Sequence, residues 1–146
     1  MLSENIDIVF LAGGRGSRIS KLTKKTPKPL IKFNNIPFFQ YLLNHYSKYN
    51  FNKIYILAGY KSSRFNIYKN KKSNLIPIEC IKEKQRLGTG GALFQLKKKI
   101  KNDFILVNSD SFIDVNLDFF LKKKLKKNEI GKIITVKNKN YISNQK

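Results

Sequence analysis

Acidic residues are scarce in this chain, and residues able to cross-link it are scarcer. Nine Asp and Glu stand against thirty Lys and Arg, with one cysteine, one histidine, one methionine and no tryptophan. The lone Cys80 cannot close an internal disulfide, which suits a reducing compartment and leads us to expect a cytoplasmic protein. No run approaches the ~20 apolar residues of a membrane span, and MLSENIDIVFLAGG lacks the basic and apolar regions of a secretory leader. No membrane partner is expected. Arginine is scarce too: 4 Arg accompany 26 Lys, with 16 Asn and 18 Ile, the residues that AT-rich codons encode. The net charge of +21 is spread along the chain. A dedicated nucleic-acid binder concentrates charge and uses arginine forks, so nucleic acid is not the expected partner. The positive field still favours anionic substrates.

What is present suffices for one folded domain: 146 residues, 41% hydrophobic and 12% aromatic. Short β-branched runs at Ile6–Ala12, Lys53–Ala58, Leu75–Ile81 and Phe104–Asn108 read as strands, with a possible fifth at Lys132–Val136. Helical spacing covers Phe38–Tyr49, opened by Pro37, and also Ala92–Ile100 and Leu117–Lys127. Strands alternating with helices imply βαβ units and an open, mainly parallel α/β sheet, which binds ligands beyond the carboxyl ends of its strands.

Six of the eight glycines fall in two clusters at such ends. Leu11-Ala12-Gly13-Gly14-Arg15-Gly16-Ser17-Arg18 follows the first strand. Its glycines free backbone N–H groups to wrap a phosphate, and Arg15 and Arg18 can neutralise one. The segment is neither a P-loop nor a dinucleotide fingerprint, which would place a glycine where Ile19 stands. Beyond it, Thr26-Pro27-Lys28-Pro29-Leu30 sets Lys28 between two prolines, a pattern that predicts an extended, fixed segment.

Together these segments resemble the signature of the sugar-phosphate nucleotidyltransferases (NDP-sugar pyrophosphorylases): a strand, a G-G-x-G-[S/T]-R loop and a P-K-P segment. The likeness continues in Glu83-Lys84-Gln85-Arg86-Leu87-Gly88-Thr89-Gly90-Gly91-Ala92, similar to the family's second nucleotide-binding loop. It continues again in Val107-Asn108-Ser109-Asp110, where Ser109 replaces the more usual glycine. The resemblance implies a Rossmann-like sheet with helices on both faces, of the nucleotide-diphospho-sugar transferase type. It implies transfer of a nucleotidyl group from a nucleoside triphosphate to a sugar 1-phosphate, with Mg²⁺ as cofactor. Arg18 and Lys28 would be the catalytic cations and Asp110 the metal ligand. Leu11, Ala12, Gly13, Gly14, Arg15, Gly16, Ser17, Glu83, Gly88 and Thr89 would bind the nucleotide. The loop subtype looks most like guanylyltransferases of heptose or mannose 1-phosphate. An inactive or nucleotide-binding-only fragment is the alternative.

The resemblance covers the front part of the family's domain, so a core over residues 1–136 is expected, incomplete at its C-terminus and followed by a polar tail over 137–146. Such a core could pair with a second copy or a complementing chain. The other candidates read as structural. His45 falls on the apolar side of a helix, and Cys80 sits within a strand. Asp114 and Asp118 suit a loop and a helix N-terminus. The lysines at 122–124, 126 and 127 suit a solvated face.

Overall fold

In the computed structural model, which describes residues 6–83, 88–123 and 125–135, the first strand is apolar on both sides and covered on both. The elements run β1 (Asp7–Ala12), α1 (Ser20–Thr23), β2 (Lys32–Phe33), β3 (Ile36–Pro37), α2 (Phe38–Tyr46), β4 (Lys53–Ala58), β5 (Lys72–Ser73), β6 (Ile76–Lys82), α3 (Gly88–Phe94), β7 (Phe104–Asn108) and α4 (Leu117–Lys122). Five strands form one sheet in the order β5-β6-β4-β1-β7. β1 is parallel to β4 on one side and β7 on the other, and β4 is parallel to β6. Only the two-residue β5 runs antiparallel. The mainly parallel α/β sheet is therefore as expected.

Helical segments cover both faces. Phe10 of β1 meets the rings of Phe39 and Tyr46 on α2 edge-on, at 5.1 and 5.6 Å between centroids. On the opposite face Val9, Tyr55 and Leu57 pack with Ala92 of α3 and with Leu96 just beyond it. Alternation along a strand dictates this division, since successive side chains point to opposite faces.

The chain separates into two compact units, residues 1–115 and 116–146. Within the second, Asn116 caps α4 by accepting the Phe119 N–H at 3.1 Å.

Several boundaries differ from those expected. β4 and β7 match, but Leu75 is not in a strand. It stands with Asn74 at positive φ (71° and 49°) in the β5–β6 turn. α2 stops at Tyr46 because the Ser47 carbonyl is taken by the Asn74 amide at 2.8 Å and its hydroxyl by Ser73 at 2.6 Å. α3 begins four residues earlier than expected, at Gly88, and continues to Ile100 only as turns. α4 ends at Lys122, where a run of like charges offers further turns no favourable pairing. No strand forms over residues 131–135, although Val136 lies outside the described residues. There Ile133 is exposed and the Lys132 ammonium instead donates to the carbonyls of Phe120 and Lys123. β-Branched residues favour a strand only when a neighbouring strand gives them a surface to pack on.

Candidate functional site

The interior strand β1 delivers the glycine-rich loop to the carboxyl edge of the sheet, between the ends of β4 and β7. The loop is tied down on both sides. Gly13 O accepts the Tyr60 N–H at 3.2 Å, and Leu11 O accepts both the backbone N–H (3.2 Å) and the hydroxyl (2.5 Å) of Ser109. The Ser109 side chain, standing where the family more often has glycine, thus joins the end of β7 to β1.

Two glycines have specific reasons to be glycine. Gly16 stands at φ 65°, and a Cβ there would come within 2.9 Å of the Thr23 methyl and 3.2 Å of Lys28 Cβ. Gly59, just past β4, faces Gly13 so closely that an added Cβ would lie 2.9 Å from both its Cα and its carbonyl oxygen. Gly59 was not singled out in the sequence. Its signal is that β1 and β4 both end in Ala-Gly and pair in register, Ala12 opposite Ala58.

Lys28 is held differently from the expected extended segment. Pro27 is extended, but Lys28–Leu30 winds into a 3-10 turn, closed by Leu30 N–H to Pro27 O at 2.9 Å and anchored by buried Pro29 and Leu30. That turn sends the Lys28 ammonium to the Asp110 carboxylate, 2.9 Å away.

These parts surround one open cavity of about 630 Å³, a size that suits a nucleotide-scale ligand. Of the residues singled out, Leu11, Ala12, Gly13, Gly14, Arg15, Gly16, Ser17, Lys28, Glu83, Gly88, Thr89 and Asp110 all line it. Arg18 does not, and occupies an exposed position in the 3-10 turn Ser17–Ile19. Pro29, Ala92, Asn108 and Ser109 join the lining. Residues 84–87 of the second loop lie outside the described residues.

The cavity carries charge of both signs. Burial pushes the Asp110 carboxyl up, but hydrogen bonds from Lys28 and Ser111 outweigh it and hold the group below its ordinary range. Glu83 is the reverse case, with burial raising its carboxyl and no opposing cause. Among the described residues no cluster of three or more His, Cys, Asp or Glu could cage a metal ion. A single hard carboxylate at the cavity wall nevertheless fits Mg²⁺ brought in on phosphate oxygens, since that ion is commonly held by one or two carboxylates plus the substrate. His45 packs among the rings of Tyr46, Tyr49 and Phe112 and is absent from the cavity lining.

Comparison with known proteins gives concordant matches. The family described as Nucleotidyl transferase matches residues 8–143. D-glycero-alpha-D-manno-heptose 1-phosphate guanylyltransferase of Campylobacter jejuni is 31% identical over 132 residues, 90% of this chain and 58% of that protein. Mannose-1-phosphate guanylyltransferase of Mycobacterium tuberculosis is 32% identical over 108 residues, 73% of this chain and 30% of that protein. The crystal structure of HddC from Yersinia pseudotuberculosis complexed with GMP-PN superposes with a TM-score of 0.71 at 27% identity, over 80% of this chain and 53% of that one. The chain spans little more than half the length of the first of these relatives, and of that structure.

Proposed function

The chain belongs to the nucleotidyl transferase family, and on that premise we propose that it transfers a nucleotidyl group from a nucleoside triphosphate to a sugar 1-phosphate. GTP with heptose or mannose 1-phosphate is the favoured pair, following the names of the relatives, and the cytoplasm supplies both substrates. The observation that carries this reading is the convergence on one cavity of the Gly13–Gly16 loop, Lys28 and Asp110.

The reaction needs no protein nucleophile. A phosphate oxygen of the sugar 1-phosphate forms a bond to the α-phosphorus while the bond to pyrophosphate breaks, and the electron pair leaves with pyrophosphate. The protein's task is to hold two anions in line and offset their charge. Backbone N–H groups of Gly13–Gly16 cradle the phosphates, Lys28 neutralises the α-phosphate and the incoming sugar phosphate, and Arg15 adds charge at the rim. Asp110 would hold Mg²⁺, which when bound draws charge off the phosphate oxygens. Arg18, outside the cavity lining, would serve the leaving phosphates only if the Ser17–Ile19 turn closed over them.

Calorimetric titration of the chain with GTP, CTP, UTP and dTTP, with pyrophosphate release measured on adding sugar 1-phosphates, tests the proposal. Binding of a triphosphate that weakens by about 1.5–3 kcal/mol in Lys28→Ala is expected, the range for a hydrogen bond to a charged group. Indifference of every triphosphate to that change would overturn the reading.

A further inference from the structure

Tyr60 stands behind the glycine loop, outside the cavity lining, yet it braces the loop at both ends. Its N–H donates to Gly13 O at 3.2 Å. Its hydroxyl donates to Thr23 O at 3.2 Å and lies 3.4 Å from Lys24 O, at the end of α1, where a helix leaves its last carbonyls unpaired. The Thr23 hydroxyl in turn lies 3.2 Å from Gly16 O. One residue thus holds Gly13 directly and Gly16 through Thr23.

The Tyr60 ring has a second use. The Arg15 guanidinium lies over it, 5.7 Å from the centroid. Arg15 stands at the open position of the G-G-x-G-[S/T]-R pattern and lines the cavity, and among the described residues no carboxylate pairs with it. A guanidinium stacked on an aromatic face keeps its forked N–H donors free at its edge, where phosphate oxygens take two at once. An arginine already placed also loses less freedom on binding than one left loose on an exposed loop. The Lys61 ammonium is 5.6 Å from the same centroid, but Lys61 is outside the lining, so of the two cations on this ring Arg15 is the one that reaches the cavity. With Lys28 assigned to the α-phosphate, the charge of a triphosphate left to offset lies on its two terminal phosphates.

We propose that Arg15, held in place by the Tyr60 ring, binds the terminal phosphates of the nucleotide, the pair that leaves as pyrophosphate, with Tyr60 as its positioning residue. The assignment rests on the nucleotidyl-transfer reading above. It gives Arg15 the role that Arg18, outside the lining, would take only after its turn had moved.

The test is titration, at fixed Mg²⁺, with the best-binding triphosphate of those named above and with its monophosphate. In Arg15→Gln the preference for triphosphate over monophosphate should fall about tenfold, and in Tyr60→Leu about threefold or more. Tyr60→Phe keeps the ring and drops the hydroxyl, so it should hold the preference within about twofold while melting at a lower temperature. Adding Tyr60→Leu to Arg15→Gln should lower the preference no further. A preference unchanged in Arg15→Gln overturns the assignment. So does equal loss in Tyr60→Phe and Tyr60→Leu, or a further loss in the double variant, since either would mean that Tyr60 acts by bracing the loop and not through Arg15. A measurement on the wild type serves should Tyr60→Leu not fold. The chain has four arginines, so the Arg15 side-chain N–H resonance is identified by its loss in Arg15→Gln. It should lie upfield under the ring current of Tyr60 and move on titration with inorganic pyrophosphate, and a resonance without that shift, or one that pyrophosphate leaves in place, overturns the assignment. Triphosphates that depend on Lys28 but not on Arg15 remove only the Arg15 assignment. Failure of all of them to bind removes the nucleotidyl-transfer reading as well.

Discussion

Lys28 and Asp110 are 82 residues apart in sequence, and in the fold the ammonium of one lies 2.9 Å from the carboxylate of the other. The two groups assigned to the triphosphate and its cation neutralise each other before either arrives. Their side chains are 39% and 40% exposed, so the pair contributes at most about 1 kcal/mol and opens readily. With the roles proposed above, ligand entry would be an exchange of partners, Lys28 turning to phosphate as Asp110 is released.

Removing the carboxylate should therefore help one ligand and harm another. In Asp110→Asn the freed Lys28 should bind pyrophosphate or GTP about two- to fivefold tighter in the presence of a chelator, matching loss of a pair worth up to about 1 kcal/mol. The gain in affinity on adding Mg²⁺ should shrink. Titration with and without Mg²⁺ reads both effects, and a metal-free affinity that falls would show that the pair does not restrain Lys28.

Gly59→Ala probes the loop from beneath. Its methyl would press on the Gly13 backbone from 2.9 Å, and backbone yields less easily than the tip of a side chain. Overpacking of this kind costs about 1–3 kcal/mol. We expect a lower melting temperature together with at least tenfold weaker GTP binding, because the displaced segment is the one proposed to hold phosphate. Wild-type affinity in this variant would show that the loop adapts to its ligand.

Glu79 on β6 gives stability a pH dependence. Its two oxygens accept from Lys53 at 2.6 Å and Lys99 at 2.5 Å. Burial raises its carboxyl, but the two ammonium groups outweigh that and hold it below its ordinary 4.5. A carboxyl lowered by folding stabilises above the unfolded value and loses that contribution as pH falls through the folded one. Glu79→Gln should cost about 1 kcal/mol at pH 7, or about 3 °C in melting temperature, and less at pH 3. An equal cost at both values would assign the effect to packing.

Cys80 should be slow to react while the protein is folded. Burial pushes its thiol up to about 11, and its sulfur lies 3.5 Å from the Phe65 carbonyl oxygen. Since the thiolate is the nucleophile, alkylation by iodoacetamide at pH 8 should run about a hundredfold slower in the native protein than in concentrated guanidinium. Equal rates would contradict the burial of this edge of β6.

The bounds of β4 and β7 were legible because each is a short apolar run between polar or glycine breakers. α3 was misread at its start. Gly88, Gly90 and Gly91 have poor helix propensity, and packing of Ala92 and Leu96 against Val9, Tyr55 and Leu57 overrides it. The glycines of the cavity lining were legible from their clustering, and Lys28 from its flanking prolines, whereas Glu83, Thr89 and Asp110 were legible only through the family resemblance. What stayed hidden depends on register. Gly59 matters only because Ala58 lies opposite Ala12, and the Ser109 hydroxyl reaches Leu11 only because β7 lies beside β1. Proline flanks read correctly as restraint on Lys28 and wrongly as extension, since Pro29 fits the first turn of a 3-10 helix as well as a straight segment.

β1 has a parallel strand hydrogen-bonded along each edge, so its amides meet solvent only when β4 or β7 detaches. In hydrogen exchange, Ile8 to Leu11 should be among the last amides to lose protection, opening with the whole sheet rather than by local fraying. The glycine loop grows directly from that strand, so a ligand bound there is coupled to the global unfolding free energy. At a hundred times its dissociation constant, a nucleotide would slow exchange across the sheet by about two decades, equivalent to about 2.7 kcal/mol. Deuterium uptake in β1 thus becomes a gauge of occupancy at a site several residues away.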